Sequence, residues 1–296
     1  MPKTKVMKYR FFPFLAALGL IASACSVKET RVGCQAPVQV HVRDFAVSQN
    51  EFPGTRAIQT VAGYDGIKAV TLAFYKPDGS LQCCDTQLRA DATTYTTFGD
   101  FSLSLPYGIY TLIVIAYGGD SPLILTGLTD AAFDGDIVPE TFIYTQNLMV
   151  ADSRPVELDA TLSRIISRLT VNSTDGRPAN VDAIRVTFSA GGLGFDPTSG
   201  FASADAGFVS TGQVIAAEGD ATHTLTNFFL SDDEQTLDLT IETLDGAQNV
   251  LCAKTIRNVP FRRNRVTTLT GALYSASATT TFSVDTDFLP EYPMTF

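Results

Sequence analysis

Residues 108–117 have the sequence GIYTLIVIAY, which is rich in β-branched and aromatic side chains. Such residues favour β-strands, and a strand that is apolar on both faces is covered on both faces. Pro106-Tyr107 precedes this segment and Gly118-Gly119-Asp120 follows it, so turn residues limit it on both sides. We therefore predict a central strand over residues 108–117 and a hairpin partner for it at residues 98–105.

Strand-like segments recur on both sides of this central strand. Val38, Val40 and Val42 alternate with polar residues, which predicts a strand with one buried face and with His41 turned outward. Many short strands separated by turn residues predict an all-β protein made of β-sandwiches. The other predicted strands are residues 66–76, 181–189, 222–230, 236–244 and 250–256.

The chain is long enough for two domains. At about 100–200 residues per domain, 296 residues suit two sandwiches that each bury a core. The polar, proline-containing residues 152–155 suit an exposed connector, so we place the domain boundary at about residue 155. The segment that follows is ambiguous, because residues 162–169 carry apolar side chains at helical spacing whereas residues 170–174 favour a strand.

The composition argues against several classes of function. The chain has 21 Lys+Arg against 31 Asp+Glu, a formal net charge of −10, so we expect no nucleic-acid partner. Histidine is the usual general base and a common metal ligand, and the two histidines, His41 and His223, are far apart in sequence. We expect no catalytic residues, no metal site and no cofactor.

Four motifs invite a functional interpretation and favour a structural one. Residues 191–195 (GGLGF) lack the Lys-Ser/Thr of a phosphate loop, so we expect a flexible loop there. The acidic residues 134–136 and 232–234 do not continue into a calcium-binding loop, so we expect solvated turns. The arginines within residues 262–265 are too few on an acidic chain for a polyanion site, and they suit the entrance of a strand.

The first 25 residues have the pattern of an export signal. Four basic residues precede a short apolar run at residues 11–21, and Ala22-Ser23-Ala24 follows directly before Cys25. This order resembles a bacterial lipobox, in which the thiol of Cys25 is lipidated and becomes the new N-terminus. An ordinary signal peptide with a chance cysteine is the alternative. Removal of residues 1–24 takes away four positive charges and no negative ones, which leaves a formal charge of −14.

The other four cysteines do not form a recognisable framework. They are Cys34, Cys83, Cys84 and Cys252, and no CxxC pair occurs among them. Export permits disulfides, but neighbouring cysteines bond to each other only with strain. We interpret these four residues as mostly structural or free.

Several segments together resemble the fimbrillins, the pilin subunits of type V fimbriae of Bacteroidales. They are the lipoprotein signal, Thr55-Arg56-Ala57, residues 162–171 (LSRIISRLTV) and residues 259–273 (VPFRRNRVTTLTGAL). The resemblance implies two tandem transthyretin-like β-sandwich domains of Greek-key topology, and it favours a strand with an irregularity over residues 162–171. The expected organisation is a signal peptide at 1–24, a tether and strand at 25–56 as a candidate propeptide, and sandwiches at 57–155 and 156–296.

The resemblance also implies an assembly mechanism. Stalk subunits of the family arrive as outer-membrane lipoproteins, and an arginine-specific maturation protease removes an N-terminal strand. In this chain the matching cut would follow Arg56, so that Ala57 becomes the N-terminus and the strand at Val38–Val42 is lost. An apolar groove with unpaired backbone groups would remain, and a strand from another fimbrial subunit would fill it.

The candidate donor strand lies in residues 278–296. Its apolar anchors would be Phe282, Val284, Phe288 and Leu289. The alternative is that this tail pairs within its own domain.

Three classes of function compete at this point. The first is a structural subunit of a cell-surface fimbria that supports adhesion, with other fimbrial subunits as partners. The second is a protein held on the outer membrane by lipid at Cys25, either a fimbrial anchor or a ligand- or glycan-binding lipoprotein. The absence of tryptophan lowers glycan binding, because tryptophan is favoured for stacking on sugars. The third, an enzyme on a sandwich scaffold, lacks a recognisable constellation of catalytic residues.

Overall fold

The computed structural model describes residues 35–46, 60–135, 137–213 and 222–275, and the backbone of residues 283–288. Within these ranges the chain is all-β, as predicted, and contains 18 strands and no α-helix. No membrane-spanning helix occurs in this part of the chain. Six residues that the sequence analysis singled out lie outside it, namely Cys25, Cys34, Arg56, Ala57, Phe282 and Leu289.

Nine strands come from the N-terminal part of the chain. Seven of them share one sheet in the order β3-β2-β5-β8-β9-β1-β4, and it folds over at the short β8–β9 pairing into a sandwich with a single apolar core. The nine strands are β1 Gln35–Phe45, β2 Ala69–Tyr75, β3 Leu81–Leu88, β4 Asp100–Pro106, β5 Gly108–Tyr117, β6 Leu123–Leu125, β7 Ala131–Phe133, β8 Thr141–Val150 and β9 Val156–Arg164.

The central position of β5 is confirmed, but its predicted hairpin with β4 is wrong. β5 pairs with β2 on one side and β8 on the other, and its last six residues are buried. β4 pairs with β1 instead and lies in the opposite layer. The reason is amphipathicity: β4 buries only one face, which suits an outer strand, whereas β5 needs cover on both faces. Tyr107, between the two strands, therefore belongs to a crossover between layers.

The C-terminal part of the chain forms a second sandwich. One sheet has the order β14-β10-β17-β18 and the other β13-β11-β15-β16, with an apolar core between them. The strands are β10 Ser167–Ser173, β11 Ala183–Phe188, β12 Gly194–Phe195, β13 Phe208–Gln213, β14 Thr222–Phe228, β15 Glu234–Leu244, β16 Val250–Arg262, β17 Arg265–Gly271 and β18 Ser283–Phe288.

The ambiguous segment after residue 160 is a strand with an irregularity, as the resemblance implied. β9 ends at Arg164, β10 begins at Ser167, and Ile165 and Ile166 lie buried between them. The sequence placed the domain boundary at about residue 155. In the structure β9 pairs in parallel with β1, so the chain crosses to the second sandwich at residues 165–166.

A third apolar core joins the two sandwiches. Phe195 is fully buried there, 4.6 Å from the ring of Phe229, and β12 pairs with β7 of the N-terminal part. The expectation of a flexible loop at residues 191–195 is therefore wrong. Burial of Phe195 in the junction, together with hydrogen bonds between Gly192 and Phe229, orders a segment that composition alone assigns to a loop.

Gly200 tests how tightly this junction is packed. Its φ is +78°, and an added Cβ would lie 2.6 Å from Ile165 Cγ2 and 2.9 Å from Ile143 Cδ1. We expect Gly200→Ala to lose about 1–2 kcal/mol of unfolding free energy to backbone strain and about 1–3 kcal/mol more to overpacking. Gly79→Ala is the matched control, with a φ of +79° and open space around the Cβ. Equal losses in denaturant titrations of the two variants would contradict tight packing at Gly200.

Candidate functional site: the β1 groove

Strand β1 is an interior strand of the first sandwich. It pairs with β4 in antiparallel register from Gln35↔Pro106 to His41↔Asp100, and with β9 in parallel register from Val38↔Val156 to Phe45↔Leu162. Both backbone edges of β1 are thus used, which leaves no free edge on this strand. We call the space that β1 fills between β4 and β9 the β1 groove.

The inward side chains of β1 belong to the core of the first sandwich. Removal of any one of these apolar groups from water stabilises the fold by about 1–3 kcal/mol. The outward side chains remain at the surface, and the predicted orientation of His41 is confirmed: its Nδ1 lies 2.8 Å from Asp100 Oδ1 on the neighbouring strand. The buried inward residues are Ala36, Val38, Val40, Val42 and Phe45.

Phe45 fills an aromatic pocket at the far end of the groove. The pairing of β1 with β9 is irregular between Val42 and Asp44, which turns Phe45 inward instead of Asp44. The Phe45 ring lies 5.8 Å from that of Tyr64, edge to face, and 4.7 Å from that of Phe142. Aromatic pairs of this kind add about 0.5–1.5 kcal/mol to the stabilisation from burial alone.

A buried polar network closes this pocket and reaches the second sandwich. The Tyr64 hydroxyl donates to Glu140 Oε2 at 2.7 Å, and Arg164 Nη2 pairs with Glu140 Oε1 at 2.6 Å. Burial, and then the hydrogen bond to Glu140 and its charge, raise the pKa of Tyr64 well above its usual value. Arg164 Nη1 also donates to Asn264 Oδ1 at 3.2 Å, in the turn between β16 and β17. The far end of the β1 groove therefore adjoins the domain junction.

Arg89 holds the segment that follows the expected cleavage site. Its guanidinium donates to the carbonyl oxygens of Val61, Ala62, Tyr64 and Ile67 at 2.6–3.0 Å. The same group lies 4.2 Å from the centre of the Phe98 ring. Residues 61–67 are thus held by Arg89, which directly follows β3, and these contacts do not depend on β1.

The C-terminal tail pairs within its own domain in this structure. β18 lies at the edge of its sheet and pairs with β17 alone, in antiparallel register from Thr270↔Ser283 to Arg265↔Phe288. Val284 lies opposite Leu269 in this pairing. This is the alternative that the sequence analysis left open for the donor segment, and it assigns Val284 and Phe288 to an edge strand.

Asp175 fixes the chain just before this tail. Its carboxylate accepts hydrogen bonds from the backbone amides of Leu273, Tyr274 and Ser275 and from the Ser173 hydroxyl, at 2.5–3.2 Å. Burial raises the pKa of Asp175, but these hydrogen bonds outweigh burial and hold the pKa at about 2. The Tyr274 hydroxyl also lies 2.5 Å from His223 Nε2. We call this group of contacts the Asp175 anchor.

The remaining candidate clusters are neutralised or structural. The acidic turn at residues 232–234 forms ion pairs with the arginines of residues 262–265. Asp233 pairs with Arg263 at 2.5 Å and Glu234 with Arg262 at 3.2 Å. These residues line a polar cleft of about 650 Å³ at the domain junction. Among the described residues no three metal-ligating side chains come together. None of the three described cysteines, Cys83, Cys84 and Cys252, forms a disulfide bond.

Sequence analysis found β1 and the tail but missed the groups that position them. The sequence analysis did not predict that Phe45 is buried, because the bulge breaks the alternation of Val38, Val40 and Val42. The available signal was an aromatic residue three positions after Val42. Asp175 precedes Gly176, and an Asp-Gly pair indicates a turn but not an anchor for a distant segment. Nothing in the sequence marks Arg89, whose four acceptors are backbone carbonyl groups.

The fold and groove define a two-domain all-β protein in which an interior strand, β1, comes before residues 47–59 and the rest of the first sandwich. A family model matches residues 134–295, more than half of the chain. The chain therefore belongs to that family, which is described as a family of unknown function (DUF6562). No curated protein matches this chain.

Structure comparison matches this chain with two solved fimbrial proteins of Porphyromonas gingivalis. The fimbrial anchor protein Mfa2 is 12% identical, with a TM-score of 0.50, and the similarity covers 86% of this chain and 98% of that chain. The tip fimbrial protein Mfa3, solved with a C-terminal truncation, is 10% identical, with a TM-score of 0.42 over 86% and 100%. The similarity to Mfa2 confirms the resemblance to fimbrillins at the level of the fold.

Phe45 is the residue of β1 whose loss should cost most. We expect Phe45→Ala to lower the unfolding free energy by about 3–5 kcal/mol, because it empties a pocket between two aromatic rings. Phe45→Leu, which keeps an apolar side chain in place, is the matched variant and should lose less than half of that amount. Chemical denaturation followed by tyrosine fluorescence measures both. A loss below about 1 kcal/mol for Phe45→Ala would contradict the importance of this pocket.

The Asp175 anchor predicts a pH dependence. Because the folded-state pKa, about 2, lies below the ordinary value of 3.8, the carboxylate stabilises the fold above pH 3.8 and loses this effect as the pH falls toward 2. Asp175→Asn should therefore lower the melting temperature at pH 5–7, and the gap to wild type should narrow between pH 4 and 2. Asp120→Asn, at an exposed position after β5, is the control. A gap that is constant with pH would argue against the charged anchor.

Proposed function

We propose that this protein is a structural subunit of a cell-surface fimbria, assembled by proteolysis and strand exchange and supporting adhesion. The observation that carries the proposal is the place of β1. It is an interior strand by its hydrogen bonds, yet it precedes the segment that holds Arg56 and Ala57. One cut in that segment would separate the strand from the rest of its sandwich.

Loss of β1 would create a binding site of defined chemistry. β4 and β9 would each gain an unpaired backbone edge, and the pockets of Val38, Val40, Val42 and Phe45 would open to water. An unpaired buried donor or acceptor costs about 1–3 kcal/mol. Another β-strand with apolar residues at alternate positions satisfies both the edges and the pockets, which is β-augmentation.

The contacts of Arg89 suit such a cut. Val61 is fully buried and accepts from Arg89, and only residues 58–60 separate it from Ala57. A new N-terminus at Ala57 would start close to a fixed point. One wall of the first sandwich would therefore keep its shape after β1 departs.

The tail supplies a strand of the required pattern. Phe282, Val284 and Phe288 alternate with polar residues over 281–288. β18 holds only one neighbouring strand, so its release breaks a single ladder of hydrogen bonds. The Asp175 anchor precedes the tail, and its contacts within the second sandwich do not involve β18.

A fimbrial anchor is the second candidate. In the structure β1 occupies its own groove and β18 pairs with its own domain, which is the arrangement of a subunit that is not exchanging strands. The fimbrial anchor protein Mfa2 shares this fold. An anchor of this kind would keep β1 and would stay on the outer membrane through lipid at Cys25. A free-standing ligand-binding lipoprotein would have the same N-terminus but no fimbrial partner.

Processing of the chain in its native cells distinguishes these candidates. For a strand-exchanged subunit we expect an N-terminus at Ala57 and a mass without lipid, measured by N-terminal sequencing and intact mass spectrometry of surface protein. The same material should form ladders of oligomers that resist sodium dodecyl sulfate. Arg56→Lys keeps the positive charge but blocks an arginine-specific protease, so it should abolish both results.

Deletion of residues 278–296 provides the second arm. It should abolish the ladders while Ala57 remains the N-terminus and the monomer stays folded by circular dichroism. A lipidated start at Cys25 without cleavage would overturn the strand-exchange proposal. Co-purification with other fimbrial subunits would then identify an anchor, and its absence a free-standing lipoprotein.

A further inference from the structure

We infer that the incoming strand enters the β1 groove at the end where β1 begins and runs parallel to β9, with Phe288 of a second copy in the aromatic pocket of Phe45. This inference rests on the proposed function and specifies its binding site. It assigns a direction and a register to the exchanged strand. It also determines which ends of neighbouring subunits meet.

The walls of the groove set the register. The inward residues of β9 follow a regular two-residue spacing at Val156, Leu158, Ala160 and Leu162. In β1, Val42 lies opposite Ala160 and Phe45 lies opposite Leu162. The bulge therefore adds one residue to β1 between its last two inward positions. A strand without a bulge would therefore present four inward side chains spaced by two, with the last one in the aromatic pocket.

The tail carries this spacing. Phe282, Val284, Thr286 and Phe288 are spaced by two, and the residues between them are Ser283, Asp285 and Asp287. In the direction of β1, Val284 replaces Val40, and Thr286, which has nearly the same shape as valine, replaces Val42. Phe288 then lies opposite Leu162, where Phe45 is found in the closed structure.

The reverse direction would bring Phe282 to the same pocket, but the body of the donor subunit argues against it. The Asp175 anchor fixes Ser275, and the six residues between Ser275 and Phe282 span at most about 25 Å. In the reverse direction the donor's second sandwich would have to lie beside the pocket. The acceptor's own second sandwich already occupies that end through Arg164 and Asn264.

Among the described residues, the opposite end of the first sandwich carries exposed apolar side chains. Gln35 lies beside Pro106 there, and Tyr107, Ile109 and Met149 are exposed close by. Ile109 and Met149 are direct cross-strand neighbours, 57% and 67% exposed. A second copy that enters the groove from this end would bring its own second sandwich against these side chains and cover them.

Disulfide trapping tests direction and register together. Ser102 is exposed on β4 opposite Gln39, so it should lie opposite Ser283 in the inferred register and opposite Asp287 in the reverse one. We expect full-length protein with Ser102→Cys and Ser283→Cys, cut by an arginine-specific protease and oxidised, to form disulfide-linked oligomers. The pair Ser102→Cys and Asp287→Cys should form no such oligomers. Each single cysteine variant is the control that shows how much cross-linking comes from the native cysteines.

The aromatic pocket is tested by loss of polymer. Phe288→Ala should reduce the polymer yield after cleavage at least tenfold, while circular dichroism confirms a folded monomer. Cross-linking through Asp287→Cys instead of Ser283→Cys, or full polymer from Phe288→Ala, would overturn the inference and leave the proposed function intact. Cleaved wild type that forms no polymer would overturn the proposed function itself.

Discussion

The whole first sandwich depends on one early strand that sits between two later ones. β1 pairs with β4 and β9 along both edges, and Phe45 at its end contacts Tyr64 and Phe142. Because a buried backbone group without a partner is costly, the fold requires a strand at this place, whichever chain supplies it.

The domain junction depends indirectly on the strand that fills the β1 groove. The network from Tyr64 through Glu140 and Arg164 to Asn264 connects the pocket of Phe45 with the second sandwich. Phe195 and Phe229 add an apolar core between the domains. The two sandwiches therefore form one packed body in the part of the chain that the structure describes.

The two termini play complementary parts in this arrangement. β1 lies in the interior of a sheet, whereas β18 lies at the edge of one. Arg89 holds the residues that follow β1 and the cleavage segment, and Asp175 holds the residues that precede β18. Both sets of contacts are independent of the two strands. Under the proposed exchange these contacts would stay in place, while the first core would need a replacement for the apolar side chains of β1.

Alternation and turn residues were enough to predict the all-β class, the central strand at residues 108–117 and the one-sided burial of Val38, Val40 and Val42, because these depend on local periodicity. Chain length and strand spacing also predicted two sandwiches, and the resemblance to fimbrillins favoured the irregular strand over residues 162–171. The partner of β4, the course of residues 191–195 and the roles of Arg89, Glu140 and Asp175 came only from the tertiary structure. Each depends on contacts between residues far apart in sequence, and a bulge such as that before Phe45 reverses which side chains face the core.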